Sequence, residues 1–238
     1  MTISNLYAAR DRSGIAVLDA RRGRGRWRFL DPIGAQLWLS ISGGTAPDQA
    51  VELLSVYWAQ RGADADHVRA SLQTLAADLS KAQLLQVSAP PARTPNSPTV
   101  RFATRMPVRL LDRAAAHAGL ATALVLLRLL PVRYALAAAN AATRLPGLTA
   151  TTSQADAVFA AVRKAARWWP GRVACLEESL AAHFTAALTG RHVRWVVGAR
   201  FAPHGAHAWI EAEDAIIGQD ESDRVWPYVP ALQVERSH

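Results

Sequence analysis

The chain has 238 residues, half of them hydrophobic, a formal net charge of +8 and a single cysteine. That length suits one large domain or two small ones with a real core. One cysteine excludes an intramolecular disulfide framework and points to a reducing compartment, the cytoplasm. Residues Met1 to Asn5 show no basic region followed by an apolar block, so no signal peptide is read there. The longest apolar run, Ala114 to Leu127, is interrupted by His117 and followed by Arg128 and Arg133. It is too short and too flanked by charge to span a bilayer and reads as a buried helix, so no integral membrane segment is expected. The positive charge comes mainly from arginine; it suits an acidic partner or a solvated surface.

In chain order, Gly14 to Asp19 and Arg26 to Leu30 read as two strands joined by the turn Arg21-Arg22-Gly23-Arg24-Gly25. In the second strand Trp27 and Phe29 fall on one face and the arginines on the other. Asp31-Pro32 starts a helix, with Asp31 as cap and Ile33, Leu37, Trp38 and Ile41 as its apolar face. Gly43-Gly44 ends it. Two more amphipathic helices follow, from Asp48 to Gln60 and from about Asp64 to Lys81. Leu84 to Val87 reads as a short return strand. Strands followed by three helices describe a small winged-helix-like domain, which would bind DNA or a peptide. Asp64, Asp66 and Asp78 on the third helix would repel phosphates, so nucleic acid is disfavoured.

The residues Leu18-Asp19, Arg28-Phe29-Leu30-Asp31-Pro32-Ile33-Gly34-Ala35-Gln36-Leu37-Trp38, Gly43-Gly44-Thr45 and Leu84-Leu85 resemble a PqqD-like recognition element of pathways for ribosomally made, modified peptides. The resemblance covers nearly all of residues 1–88. It implies that a precursor's leader peptide adds as an extra strand to the sheet edge and packs against the third helix. Carried onto this chain, the contact surface would include Trp27, Phe29, Val68 and Leu72.

Residues 89–99 contain Pro90, Pro91, Pro95 and Pro98 among small polar residues and read as a semi-rigid tether between independently folded units. The second unit, 100–238, is helical first. Pro107 opens one helix, and Thr152-Ser153-Gln154 caps another carrying Val158, Phe159 and Val162. The next helix starts at Cys175, after Pro170 and Gly171. A thiol at a helix N-terminus feels the positive end of the dipole, which favours the thiolate. The tail changes to strands: His192 to Arg200, then a hairpin of Ala206 to Ala212 and Ala215 to Gly218 over Glu213-Asp214. Helices followed by a small antiparallel sheet, with a thiol on the last helix and a histidine on a strand, is the layout of a papain- or transglutaminase-like fold. The whole chain is therefore expected to be α+β.

A cysteine with a remote histidine on a strand is a candidate nucleophile with its base. Among seven histidines His207 alone lies in a strand of that hairpin. With a two-residue turn Asp220 stands opposite His207; a three-residue turn with a bulge puts Gln219 there instead. Either would orient the imidazole, and Asp220 would also stabilise its charged form. No metal or cofactor is expected.

The blocks Arg172-Val173-Ala174-Cys175-Leu176-Glu177-Glu178-Ser179-Leu180, Val196-Val197-Gly198-Ala199-Arg200 and Ala206-His207-Ala208-Trp209-Ile210-Glu211 resemble the leader peptidase of bacterial lasso-peptide biosynthesis, a transglutaminase-like cysteine protease family. The resemblance covers about residues 100–238. It implies that Cys175 and His207 are nucleophile and base, that the aspartate falls on Gln219 or Asp220 depending on the direction of counting, and that cleavage follows a threonine near the end of the leader. It also implies an asparagine-synthetase-like, ATP-consuming cyclase as partner. Two other readings remain open: a catalytically inactive leader-binding scaffold that delivers precursor to another enzyme, and a winged-helix DNA binder.

Overall fold

The computed structural model describes residues 5–85, 99–102, 110–219 and 228–236. Among them are seven helices and three sheets. The chain opens with a three-stranded antiparallel meander, β1 (Leu6–Asp11), β2 (Gly14–Asp19) and β3 (Arg26–Leu30), in the order β1-β2-β3. The first of these strands was not expected. Its Ala8-Ala9 centre has little strand propensity, and its place comes from pairing with β2, Ala8 opposite Val17.

Three helices follow: α1 (Pro32–Ser42), α2 (Pro47–Ala59) and α3 (Ala65–Lys81). Asp31 caps α1 by accepting the Gly34 N–H at 2.7 Å, and Asp64 caps α3 through the amides of Asp66 and His67. They cover one face of the meander, where Leu6, Ile15 and Val17 pack with Trp38, Leu79 and Leu84. The return strand expected at Leu84 is not formed at Leu84 or Leu85; instead the buried Leu84 offers its carbonyl to the Trp38 indole at 2.9 Å. Residues 86 and 87 lie outside the described residues, as does the proline-rich tether apart from Thr99.

The second part begins with β4 (Thr99–Phe102), also unexpected, and continues with α4 (Leu110–Leu129), α5 (Val132–Ala142), the short β5 (Leu148–Thr149), α6 (Thr152–Ala166) and α7 (Cys175–Leu188). After β6 (Arg191–His192) come β7 (Arg194–Phe201), β8 (His204–Ala212), β9 (Ala215–Gln219) and β10 (Val229–Val234). The five-stranded sheet runs β10-β7-β8-β9-β4, antiparallel except for β4, which lies parallel to β9. β5 and β6 pair parallel in a sheet of two. α6 starts with a capping box, Thr151 with Gln154. Among the described helices α4 alone is long and apolar enough to cross a membrane, by length and composition only. Here Ala116, Leu120, Ala123, Leu124 and Leu127 bury one face of it in the main core, while Val125 and Leu129 are exposed.

The two parts are not joined only by a tether. The face of the meander away from its helices packs on the large sheet: Ala9 and Ala16 meet Ala199, Phe201 and Ala231, with Trp27 and Phe29 closing the seam. Phe29 stacks on His204 with ring centres 4.3 Å apart. Leu18 and Ala20 belong to the same core as Leu124 and Val132. At the β2–β3 turn the Val132 N–H donates to the Gly23 carbonyl at 2.8 Å, and Arg133 to the Arg21 carbonyl at 2.8 Å. The seam forms because both sheets present apolar faces that separation would leave in water.

Candidate active site

α7 holds its first residue, Cys175, in a fixed place. The carboxylate of Glu177, third in the helix, accepts the Ala174 N–H at 2.6 Å and the Arg128 guanidinium at 3.1 Å. Arg128 also donates to the Arg172 carbonyl at 2.7 Å. One turn on, Ser179 accepts the Trp195 indole N–H at 3.0 Å and donates to the Leu176 carbonyl at 3.3 Å, tying α7 to β7. Ser179 through Ala187 are all buried. Cys175 itself is half-buried, its thiol at the positive end of the helix. The acids in the first turn would weaken that potential, but each has a cation: Arg128 for Glu177, and Arg163 at 3.4 Å for Glu178.

His207 stands on β8 opposite Gly198 of β7. Its ring lies 5.0 Å from that of Tyr228 and 6.0 Å from that of Trp209, centre to centre. Trp209 is fixed in turn: its indole donates to the buried Glu211 at 2.8 Å, and Glu211 is held by Arg194 at 3.1 Å. Burial opposes the Arg194 charge, yet Glu235 and Glu211 outweigh it and keep its pKa above the usual guanidinium value. Gly198 makes this possible, because a Cβ there would come within 2.7 Å of the Trp209 ring and 2.6 Å of the Val229 carbonyl oxygen. A chain from Arg194 through Glu211 and Trp209 therefore braces the histidine.

Cys175 and His207 line one cavity of about 360 Å³, together with Glu178, Arg163, Gln219 and Tyr228. The expected third member divides. The β8–β9 hairpin does turn on Glu213-Asp214, both with positive φ (47° and 62°), the two-residue turn that pairs Ala212 with Ala215. That register continued would set residue 220 opposite His207, but Asp220 lies outside the described residues. Before it, Gly218 has φ 72°, and the pairing of β4 with β9 shifts between Val100 and Phe102. Gln219, 8% exposed, ends β9 in the wall of the cavity. Its amide oxygen would accept an imidazole N–H but carries no charge to stabilise an imidazolium.

The residues expected to touch a leader peptide fall differently. Trp27 and Phe29 face the large sheet, since their β2 partners Leu18 and Ala16 do so. Leu72 is 2% exposed and belongs to the core between α1, α2 and α3, with Val68 half-buried against it. The faces of β3 were legible, but which face meets the helices is a tertiary fact. Glu178, Arg163, Phe159 and Tyr228 were not singled out for the cavity; only the position of Glu178, one turn after Cys175, was a local signal. Among the described residues no group of three or more His, Cys, Asp or Glu side chains is placed to hold a metal ion.

A thiol heading a helix that packs on an antiparallel sheet, with a histidine on that sheet lining the same cavity, brings together the two residue types that thiol acyl-transfer chemistry uses. Residues 119–232 match the family model of the transglutaminase-like superfamily. No curated protein and no solved structure matches the chain.

Proposed function

We propose that the protein is the leader peptidase of a lasso-peptide pathway, a cysteine peptidase that binds a precursor's leader and cuts the leader–core bond. The observation that carries this is the shared cavity of Cys175 and His207 in a transglutaminase-like domain. The N-terminal part, resembling a PqqD-like element, supports a peptide precursor as the substrate. In this reading the Cys175 thiolate attacks the carbonyl carbon of the scissile bond, its proton having passed to His207. Backbone amides at the start of α7 stabilise the oxyanion. His207 returns the proton to the leaving amine, which becomes the free α-amine of the core. Water then hydrolyses the thioester and releases the leader. Asp220 or Gln219 orients the imidazole. The free amine passes to an asparagine-synthetase-like cyclase that closes the ring at the expense of ATP. In this reading the protein works in the cytoplasm, where the cyclase finds its ATP.

The test uses the fact that Cys175 is the only cysteine in the chain, so any thiol labelling reports on it alone. Alkylation by iodoacetamide, followed by intact mass against pH, is expected to rise with a midpoint well below about 8.5, the ordinary thiol value. Replacing His207 by alanine should move the midpoint up. A wild-type midpoint at or above the ordinary value, unmoved by His207→Ala, would remove the activated thiol from the account.

A further inference from the structure

One end of the helical layer carries large apolar side chains in water. There α4 ends and α5 begins across Pro131, beside the connection from α6 to α7. Two contacts join these pieces to each other and to the meander. The Arg128 guanidinium stands over the Trp169 ring at 5.5 Å, and the Val132 N–H donates to the Gly23 carbonyl at 2.8 Å, which brings the β2–β3 turn to the same end. The α6–α7 connection is firmly held. The amides of Trp168 and Trp169 donate to the Ala165 and Ala166 carbonyls at 3.1 Å, and Arg128 donates to the Arg172 carbonyl. A Cβ on Gly171 would come within 3.1 Å of the Trp169 indole nitrogen. On this braced frame Trp168 is 80% exposed and Leu129 74%, and Leu130, Tyr134 and Trp169 are exposed with them. A single exposed leucine is ordinary. A tryptophan held in water on fixed backbone, among other large apolar side chains, marks a contact surface.

The charge around this surface has one sign. From Arg113 to Ala174 the sequence holds eight arginines and lysines and one carboxylate, Asp156, which Arg101 binds at 2.9 Å. Arg133, Arg167 and Arg172 are exposed at this end, and the β2–β3 turn adds Arg22 and Arg24. The carboxylates nearby are each bound by an arginine: Asp19 by Arg21, Glu177 by Arg128 and Glu178 by Arg163. Tryptophan and leucine ringed by arginine match the boundary of a bilayer, where indole rings sit at headgroup level and guanidinium groups meet lipid phosphates. α4 has the composition of a spanning helix, but Leu120, Ala123 and Leu127 fix it in the core, so the chain rests on a bilayer and does not cross it. A nucleic acid fits less well. Its phosphates would meet the arginines, but Leu129 and Leu130 offer no flat face on which a base would stack.

We propose that this end of the molecule docks on an anionic lipid bilayer, with Trp168 and Leu129 entering the interface and the surrounding arginines meeting the phosphates. The inference is independent of the peptidase reading. Shallow insertion and charge act together, as peripheral membrane binding requires. Arg172 of the α6–α7 connection also lines the catalytic cavity, so docking sets that cavity beside the bilayer surface.

The test uses the full chain and vesicles of phosphatidylcholine, either alone or with about a third phosphatidylglycerol. Flotation measures binding, and brominated acyl chains quench any tryptophan that enters the interface. The anionic vesicles are expected to bind about tenfold more tightly than the neutral ones. Trp168→Ser should remove most of the quenching, and it and Leu129→Ser should each weaken binding about fivefold. Arg24→Glu combined with Arg167→Glu should weaken it about tenfold or more. Leu53→Ser, which removes an exposed leucine from α2 among the N-terminal helices, should change neither readout. Melting temperatures close to that of the parent confirm that these exposed substitutions leave the fold intact. The proposal is overturned if the anionic vesicles do not float the protein, or if they float it without quenching. Binding that ignores both Trp168→Ser and Leu129→Ser, or that Leu53→Ser weakens equally, overturns it as well. Single-stranded RNA that displaces the vesicles and itself depends on Trp168 would assign the surface to nucleic acid instead.

Discussion

His183 lies two turns along α7 from Cys175 and is 2% exposed. Its Nε2–H donates to the Ala139 carbonyl at 3.0 Å and pins α7 to α5. Burial pushes its pKa below the ordinary imidazole value, and the Ala139 hydrogen bond only partly opposes this. The unfolded chain therefore takes up a proton at a pH where the fold does not, and stability rises with pH across that window. The contribution is complete above the unfolded value of about 6.5 and declines as the pH falls below it. The melting temperature is expected to drop between about pH 7 and pH 5, and His183→Gln should flatten that part of the profile. An unchanged slope in the variant would place the pH sensitivity elsewhere. Cys175 is the contrasting residue on the same helix, placed where charge is favoured rather than excluded.

At the scale of elements, Gly218 is the residue of β9 that precedes the candidate third site residue Gln219. Gly218 has φ 72°, and a Cβ built on it would lie 2.2 Å from the Phe159 ring. Gly218→Ala therefore combines left-handed strain with a clash against a buried aromatic ring. It should destabilise the protein by about 3 kcal/mol, a fall of roughly 6–12 °C in melting temperature. A loss of under about 1 kcal/mol by urea titration would show that α6 yields at little cost. Much of this part was legible: Cys175 follows Pro170 and Gly171 at the head of a helical pattern, and Glu213-Asp214 between two apolar runs signals a hairpin. β1 was not, because Ala8 and Ala9 carry no strand signal. Nor was β4, whose partner β9 lies more than a hundred residues away in sequence and pairs parallel to it. Gln219, Tyr228 and Arg163 join the cavity through the packing of β9, β10 and α6, which periodicity does not encode.

For the whole molecule, the consequence lies in the seam between the meander and the large sheet. Phe29 stacks on His204 only three residues before His207, and Leu18 shares a core with α4 and α5. Two units with a common apolar seam unfold together when the seam outweighs their separate stabilities. Calorimetry of the intact chain is expected to show a single transition, lowered by Phe29→Ala through the lost stacking and burial. Two resolved transitions, with the upper one indifferent to Phe29→Ala, would mean that the N-terminal part melts by itself.

The most direct measurement is mass spectrometry of a lasso-precursor peptide, encoded beside the gene, after incubation with the purified protein and with its Cys175→Ala variant. The account predicts one cut at the leader–core junction, slowed at least about 10³-fold by the substitution, with leader affinity retained. If the variant cuts at the wild-type rate, or if neither protein cuts even when the cyclase and ATP are supplied, the thiol mechanism is contradicted and a leader-binding scaffold takes its place.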